Sequence, residues 1–133
     1  MTVYVETDFL LALAKDTDWL QESAEAALDE HEVETSAFSY LELVLARERY
    51  EFDYVPLVAN LLELVPVRDE EEKQVVLKAV NYYEEGMTPF DAFHAATAET
   101  RRLDVLSSEK DYENIEVSRV PLEPTETGEI ELP

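Results

Sequence analysis

The chain has 133 residues, no cysteine, 46% hydrophobic residues, and 32 Asp+Glu against 10 Lys+Arg, for a net charge of −22 and a pI near 4.1. This length supports one domain with its own core, and the lack of cysteine excludes disulfides and thiolate metal sites. No apolar run suits a membrane helix and no leader pattern opens the chain, so a soluble, cytoplasmic protein is expected.

The elements alternate between strand and helix. A short apolar strand is expected over 2–6, followed by a buried helix over 9–14 and a second over 19–31 carrying Leu20, Ala24, Ala27 and Leu28 at helical spacing. A brief strand over 33–35 leads to a helix over 38–50 with Leu41, Val44 and Leu45 inward. Another helix over 55–64 feeds a strand over 64–67. Asp69 is placed to cap the next helix, with Glu72 completing a capping box. Val75, Val76, Ala79, Val80 and Tyr83 form that helix's buried stripe, and Gly86 ends it. Thr88-Pro89 starts a further helix, with proline in its favoured first turn. Strands over 104–107 and 116–122 close the domain, and residues 123–133 read as an acidic, mobile tail. Helices joining short apolar strands predict an α/β fold: a three-layer domain over 1–122 with a parallel sheet of about five strands.

The acids are dispersed along the polar sides of these helices and are not gathered in one block. In dilute salt such a surface repels both itself and nucleic acid. At molar salt the Debye length falls to about 3 Å, and scarce lysine on an ordinary core suggests adaptation to that condition.

Some of the acids stand at strand ends and helix starts: Glu6 and Asp8 after the first strand, Glu42, Asp91, and Glu109 and Asp111 after the fourth. Singly, each has an ordinary use. Thr88 with Asp91, Ser39 with Glu42 and Ser108 with Asp111 all fit the capping pattern, which is common by chance. Asp8 would favour the N-terminus of its own helix. As a set they converge on one sheet edge if the first and fourth strands are neighbours, and such edges bind ligands in α/β folds. Carboxylates gathered there repel one another unless a cation joins them. All-oxygen donors favour Mg²⁺ or Mn²⁺ over Zn²⁺.

Four segments carry a family resemblance. VETDFLLAL (5–13) resembles the opening motif of PIN domains, and TSAFSYLEL (35–43) their second, with its Glu at 42. TPFDAFHAATA (88–98) and VLSSEKDYENI (105–115) are similar to the third and fourth. The order is right over about residues 2–122, and the last two motifs are the more specific. Two positions depart from the pattern. Glu6 stands where most members carry Asp, with Asp8 two residues on, and Glu109 stands where they carry the fourth acid, with Asp111 two residues on.

The resemblance is greatest to the toxin ribonucleases of VapBC-type pairs. It implies a metal-dependent endoribonuclease, an RNA substrate, an antitoxin partner and a homodimer. Asp91 and one of Glu6 or Asp8 would bind Mg²⁺ or Mn²⁺ directly, Glu42 would bind a second ion or its water, and Glu109 or Asp111 would complete the site. Thr7 and Ser108 are candidate hydrogen-bond donors to carboxylate or phosphate, with helix capping as the alternative. His94, near Asp91, reads as a supporting or packing residue and His31 as surface. Lys15, Arg47, Arg49, Arg101, Arg102 and Lys110 are the cations near the motifs, and no aromatic RNA-recognition motif is apparent. A PIN domain retained as a non-catalytic binding partner and an RNA-processing endonuclease are the alternatives.

Overall fold

The computed structural model describes residues 2–15, 19–46, 51–107 and 119–121. The elements run β1 Thr2–Tyr4, α1 Thr7–Ala14, α2 Gln21–Glu30, β2 Glu32–Glu34, α3 Ala37–Leu45, α4 Tyr54–Leu64, α5 Glu70–Glu84, α6 Pro89–Thr100, β3 Val105–Ser107 and β4 Arg119–Pro121. β1 and β2 pair in parallel with Val3 opposite Val33, and β3 and β4 with Leu106 opposite Val120. Parallel neighbours cannot be joined by a tight turn, and α1 and α2 supply the crossover between the first pair.

The α/β class and the parallel pairing agree with the sequence, whereas the five-stranded sheet does not appear among the described residues. These hold two separate two-stranded pairs. The strand expected over 64–67 is reduced to one parallel bridge, Thr35 to Val67, with Thr35 N–H donating to Pro66 O at 2.9 Å. Leu64 is the last residue of α4, and too few residues remain before Asp69 for a ladder.

The core is built mainly by helices. Leu10 of α1, Tyr40, Leu43 and Val44 of α3, Val58 of α4 and Val76 and Val80 of α5 are fully or almost fully buried. Each such aliphatic contributes about 1.5–3 kcal/mol of burial. The inward face of α6 is mostly small, with Ala92, Ala95 and Ala96 beside Phe93, and meets Ala79 of α5 within the same cluster. Small residues let two helix axes approach closely, and the α5–α6 pairing is the most extensive in the molecule. Tyr82 Oη donates to Glu99 Oε2 at 2.6 Å across it.

The expected stripe of α5 is buried in full, and Gly86 closes the helix at φ +114°, where a Cβ would be strained. Leu45, expected inward, is exposed, and Tyr40, Leu41, Leu43 and Val44 fill the interior instead. Glu42 is left as the outward residue in the middle of this run. The continuation of the α3 helix through 47–50 lies outside the described residues.

Candidate active site

Because β1 and β2 are parallel, both chains leave the pair at the same edge, and α1 and α3 start there together. Val5 N–H extends the pairing to Glu34 O at 2.9 Å, after which Glu6 is the N-cap of α1, Thr7 its first residue and Asp8 its second. On the neighbouring path Ser36 is the N-cap of α3. Phe38 and Glu42, four residues apart, share one face of that helix. Two helix N-termini side by side give the edge a partial positive potential that favours carboxylates.

These residues line one cavity of about 450 Å³: Tyr4, Glu6, Thr7, Asp8, Phe38, Ser39 and Glu42. Three acidic residues line it, and none of the described residues lining it is basic. Thr7 Oγ1 donates to Glu42 Oε1 at 2.8 Å and lies 3.3 Å from Ser39 O, tying the start of α1 to the second turn of α3. Below this contact Thr35, buried, donates from Oγ1 to Val5 O at 2.7 Å, with Ser39 Oγ 2.8 Å away. Tyr4 Oη and Ser36 Oγ are 2.9 Å apart. The Ser36 hydrogen bond, aided by Ser39 and Thr35, holds the Tyr4 phenol below its ordinary value, against burial and the charge of Glu42.

Side-chain capping accounts for neither Glu6 nor Glu42. Glu6 occupies an N-cap but makes no side-chain cap bond. Ser39 lies inside α3, so the Ser39/Glu42 pair caps nothing. For Asp91 half of the explanation stands, since Thr88 Oγ1 accepts from Asp91 N–H at 3.4 Å at the start of α6.

The PIN domain family model matches residues 3–117, nearly the whole chain. The chain belongs to the PIN domain family. PIN domains are nucleases that act on RNA and generally use divalent metal ions. No curated protein matches the chain. Among the described residues no helix is long and apolar enough to cross a membrane.

Placed on this PIN domain, the acids predicted from sequence divide into three groups. Glu6, Asp8 and Glu42 come together on the cavity. Asp91, half-buried in the first turn of α6, is not among its lining residues, although α6 packs against α3. Glu109 and Asp111 lie outside the described residues, as do Ser108, Arg47, Arg49 and Lys110. Among the described residues no three acidic or imidazole groups are close enough to form a ready metal cluster. The donors nonetheless suit a hard cation in kind: all are oxygen, and three acidic residues line one cavity whose described lining holds no basic residue.

His94 is exposed and does not pack into the core, and His31 is half-buried. Arg101 pairs with Glu71 at 2.7 Å, and Arg68 with Asp69 at 3.3 Å. Tyr4 and Phe38 also line the cavity, a placement that sequence reasoning missed. Their signal was spacing alone: Tyr4 is two residues before Glu6, and Phe38 is one helical turn before Glu42.

Proposed function

We propose that this PIN domain is an endoribonuclease that hydrolyses RNA phosphodiester bonds with Mg²⁺ or Mn²⁺. The observation that carries the reading is the gathering of Glu6, Asp8 and Glu42 on one cavity at the edge where β1 and β2 end. Asp91 and one of Glu6 or Asp8 would hold the ion directly. Glu42 would hold a second ion or its water, and Glu109 or Asp111 would complete the set. A divalent ion in such a site lowers the pKa of water and offsets charge on the leaving oxygen. The chain's own part is orientation. Thr7 donates to one oxygen of Glu42, fixing its rotamer and leaving the other oxygen for the site.

The resemblance to VapBC-type toxin ribonucleases supports reading the chain as the toxin of a toxin–antitoxin pair, acting in the cytoplasm as a homodimer and held by a cognate antitoxin. Its acid surface suits molar salt, where repulsion between that surface and RNA is screened. A second reading, a PIN domain kept as a non-catalytic partner, is favoured by Glu6 and Glu109 standing where most members carry Asp.

A ribonuclease assay in molar KCl with Mn²⁺ separates the two. The enzyme reading expects cleavage that EDTA and Asp91→Asn each abolish. Absence of cleavage on both structured and unstructured RNA rejects it in favour of the binding partner.

A further inference from the structure

We propose that Thr35 and Ser39 are positioning residues, whose buried hydroxyls form a chain that fixes the spacing between Glu6 and Glu42. The inference deepens the metal-dependent ribonuclease reading and rests on it. Both residues are 2% exposed, and no other serine, threonine or charged residue among the described ones is buried. A hydroxyl taken out of water is costly unless it is bonded, so its partners show its use. Proton count gives the direction. The carbonyl of Val5 can only accept, so the single hydroxyl proton of Thr35 goes to it, at 2.7 Å. Ser39 Oγ, 2.8 Å from Thr35 Oγ1, then donates to Thr35. The chain runs from Ser39 through Thr35 to Val5 O.

Its two ends lie beside the two acids. Val5 is the residue before Glu6, and Ser39 stands three residues before Glu42 on α3, about one helical turn. Thr35 in the middle is held by its own backbone: its N–H donates to Pro66 O at 2.9 Å, and it bridges to Val67. Ser39 lines the carboxylate cavity, yet its hydroxyl is committed to Thr35 beneath, which marks it as a support and not a ligand. Ion size makes this spacing matter. Mg²⁺ demands near-ideal octahedral geometry at about 2.0–2.1 Å, whereas Ca²⁺ accepts a looser shell at about 2.3–2.6 Å. Sites of this kind must be held to within about 0.5 Å by their supporting bonds. A hydroxyl chain that ties the end of β1 to α3 therefore favours the smaller ion.

The test titrates the full chain in molar KCl with Mg²⁺, Mn²⁺ and Ca²⁺ in turn. Thr35→Val keeps the shape and removes the hydroxyl, and Thr35→Ser returns it. Thr35→Val should bind Mg²⁺ and Mn²⁺ about tenfold more weakly, the order expected when a supporting bond is lost. The loss for Ca²⁺ should be smaller, and Thr35→Ser should restore most of the affinity. Ser39→Ala should weaken binding in the wild-type background and add nothing in Thr35→Val, because Ser39 acts through Thr35. Wild-type Mg²⁺ affinity in a Thr35→Val protein that melts as a folded chain overturns the proposal. So do equal losses for the three ions, or additive losses in the double variant. If Thr35→Val does not fold, Ser39→Ala carries the same comparison, and wild-type Mg²⁺ affinity there overturns the proposal. Amide hydrogen exchange in the metal-free chain is read separately, at Val5 and Ser39. A wild type that binds none of the ions removes the cation reading. Faster exchange at both amides in Thr35→Val then leaves the hydroxyl chain as the link between β1 and α3, and unchanged exchange removes that link as well.

Discussion

Single hydroxyls do much of the positioning in this molecule. Thr7 was open to two uses in the sequence, cap or donor, and the structure resolves them: its hydroxyl reaches Glu42 at 2.8 Å and not its own helix. A capping pattern sees only neighbours in sequence, while Thr7 and Glu42 are 35 residues apart. Tyr40 shows the same blindness in the core. It is fully buried, and its hydroxyl donates to Val65 O at 2.7 Å. Burial pushes this phenol far above its ordinary value of 10.0. The unfolded chain therefore releases the proton near pH 10 while the folded chain keeps it. Stability from this group is complete below about pH 10 and falls as pH rises further, by at most about 1.4 kcal/mol per pH unit. Tyr40→Phe should cost about 1–2 kcal/mol at neutral pH through the lost hydrogen bond. It should also flatten the alkaline decline, and urea unfolding from pH 8 to about pH 11 measures both.

Among the elements, α3 is held at its start by a residue of another helix. Ser36 is its N-cap but makes no cap bond, because its hydroxyl meets Tyr4. Glu72 of α5 takes that role, accepting the Ala37 N–H at 2.6 Å. The capping box expected at Asp69 is accordingly half made: Asp69 Oδ1 accepts from Glu72 N–H at 2.9 Å, while the Glu72 carboxylate serves α3. Glu72→Ala should destabilise the protein by about 1–2 kcal/mol, a charged acceptor at a helix N-terminus being worth that much. Glu72→Gln should recover part of the loss in denaturant unfolding, since an amide oxygen still accepts. Local signals found the long helices well. Thr88-Pro89 and Gly86 mark real boundaries, and the α5 stripe is buried as its periodicity predicts. They failed at 64–67, where a short apolar run cannot declare whether it ends a helix or starts a strand.

At the scale of the whole molecule, the α/β class was legible, but which of the candidate acids come together was not. Which strands pair, and hence which strand ends meet, is a long-range property that composition and periodicity do not carry. The parallel β1–β2 pair brings Glu6, Asp8 and Glu42 to one edge, while Asp91 stands in the first turn of α6, a helix that packs on α3. Surface charge acts at the same scale. With a net of −22, raising KCl from roughly 0.1 M to about 2 M should lift the melting temperature by about 4 °C or more, since relief of roughly 1 kcal/mol of repulsion shifts a domain of this size by that amount. A melting temperature unchanged by salt would remove the argument for a salt-adapted surface. Whether the cavity between α1 and α3 is a divalent-cation site is decided by titrating the full chain with Mn²⁺ in a calorimeter, beside Glu42→Gln and Glu6→Gln. Wild type should bind Mn²⁺ saturably, and affinity should fall about tenfold or more when a liganding carboxylate becomes an amide; Mn²⁺ bound equally by all three proteins, or by none, would rule out a cation site there.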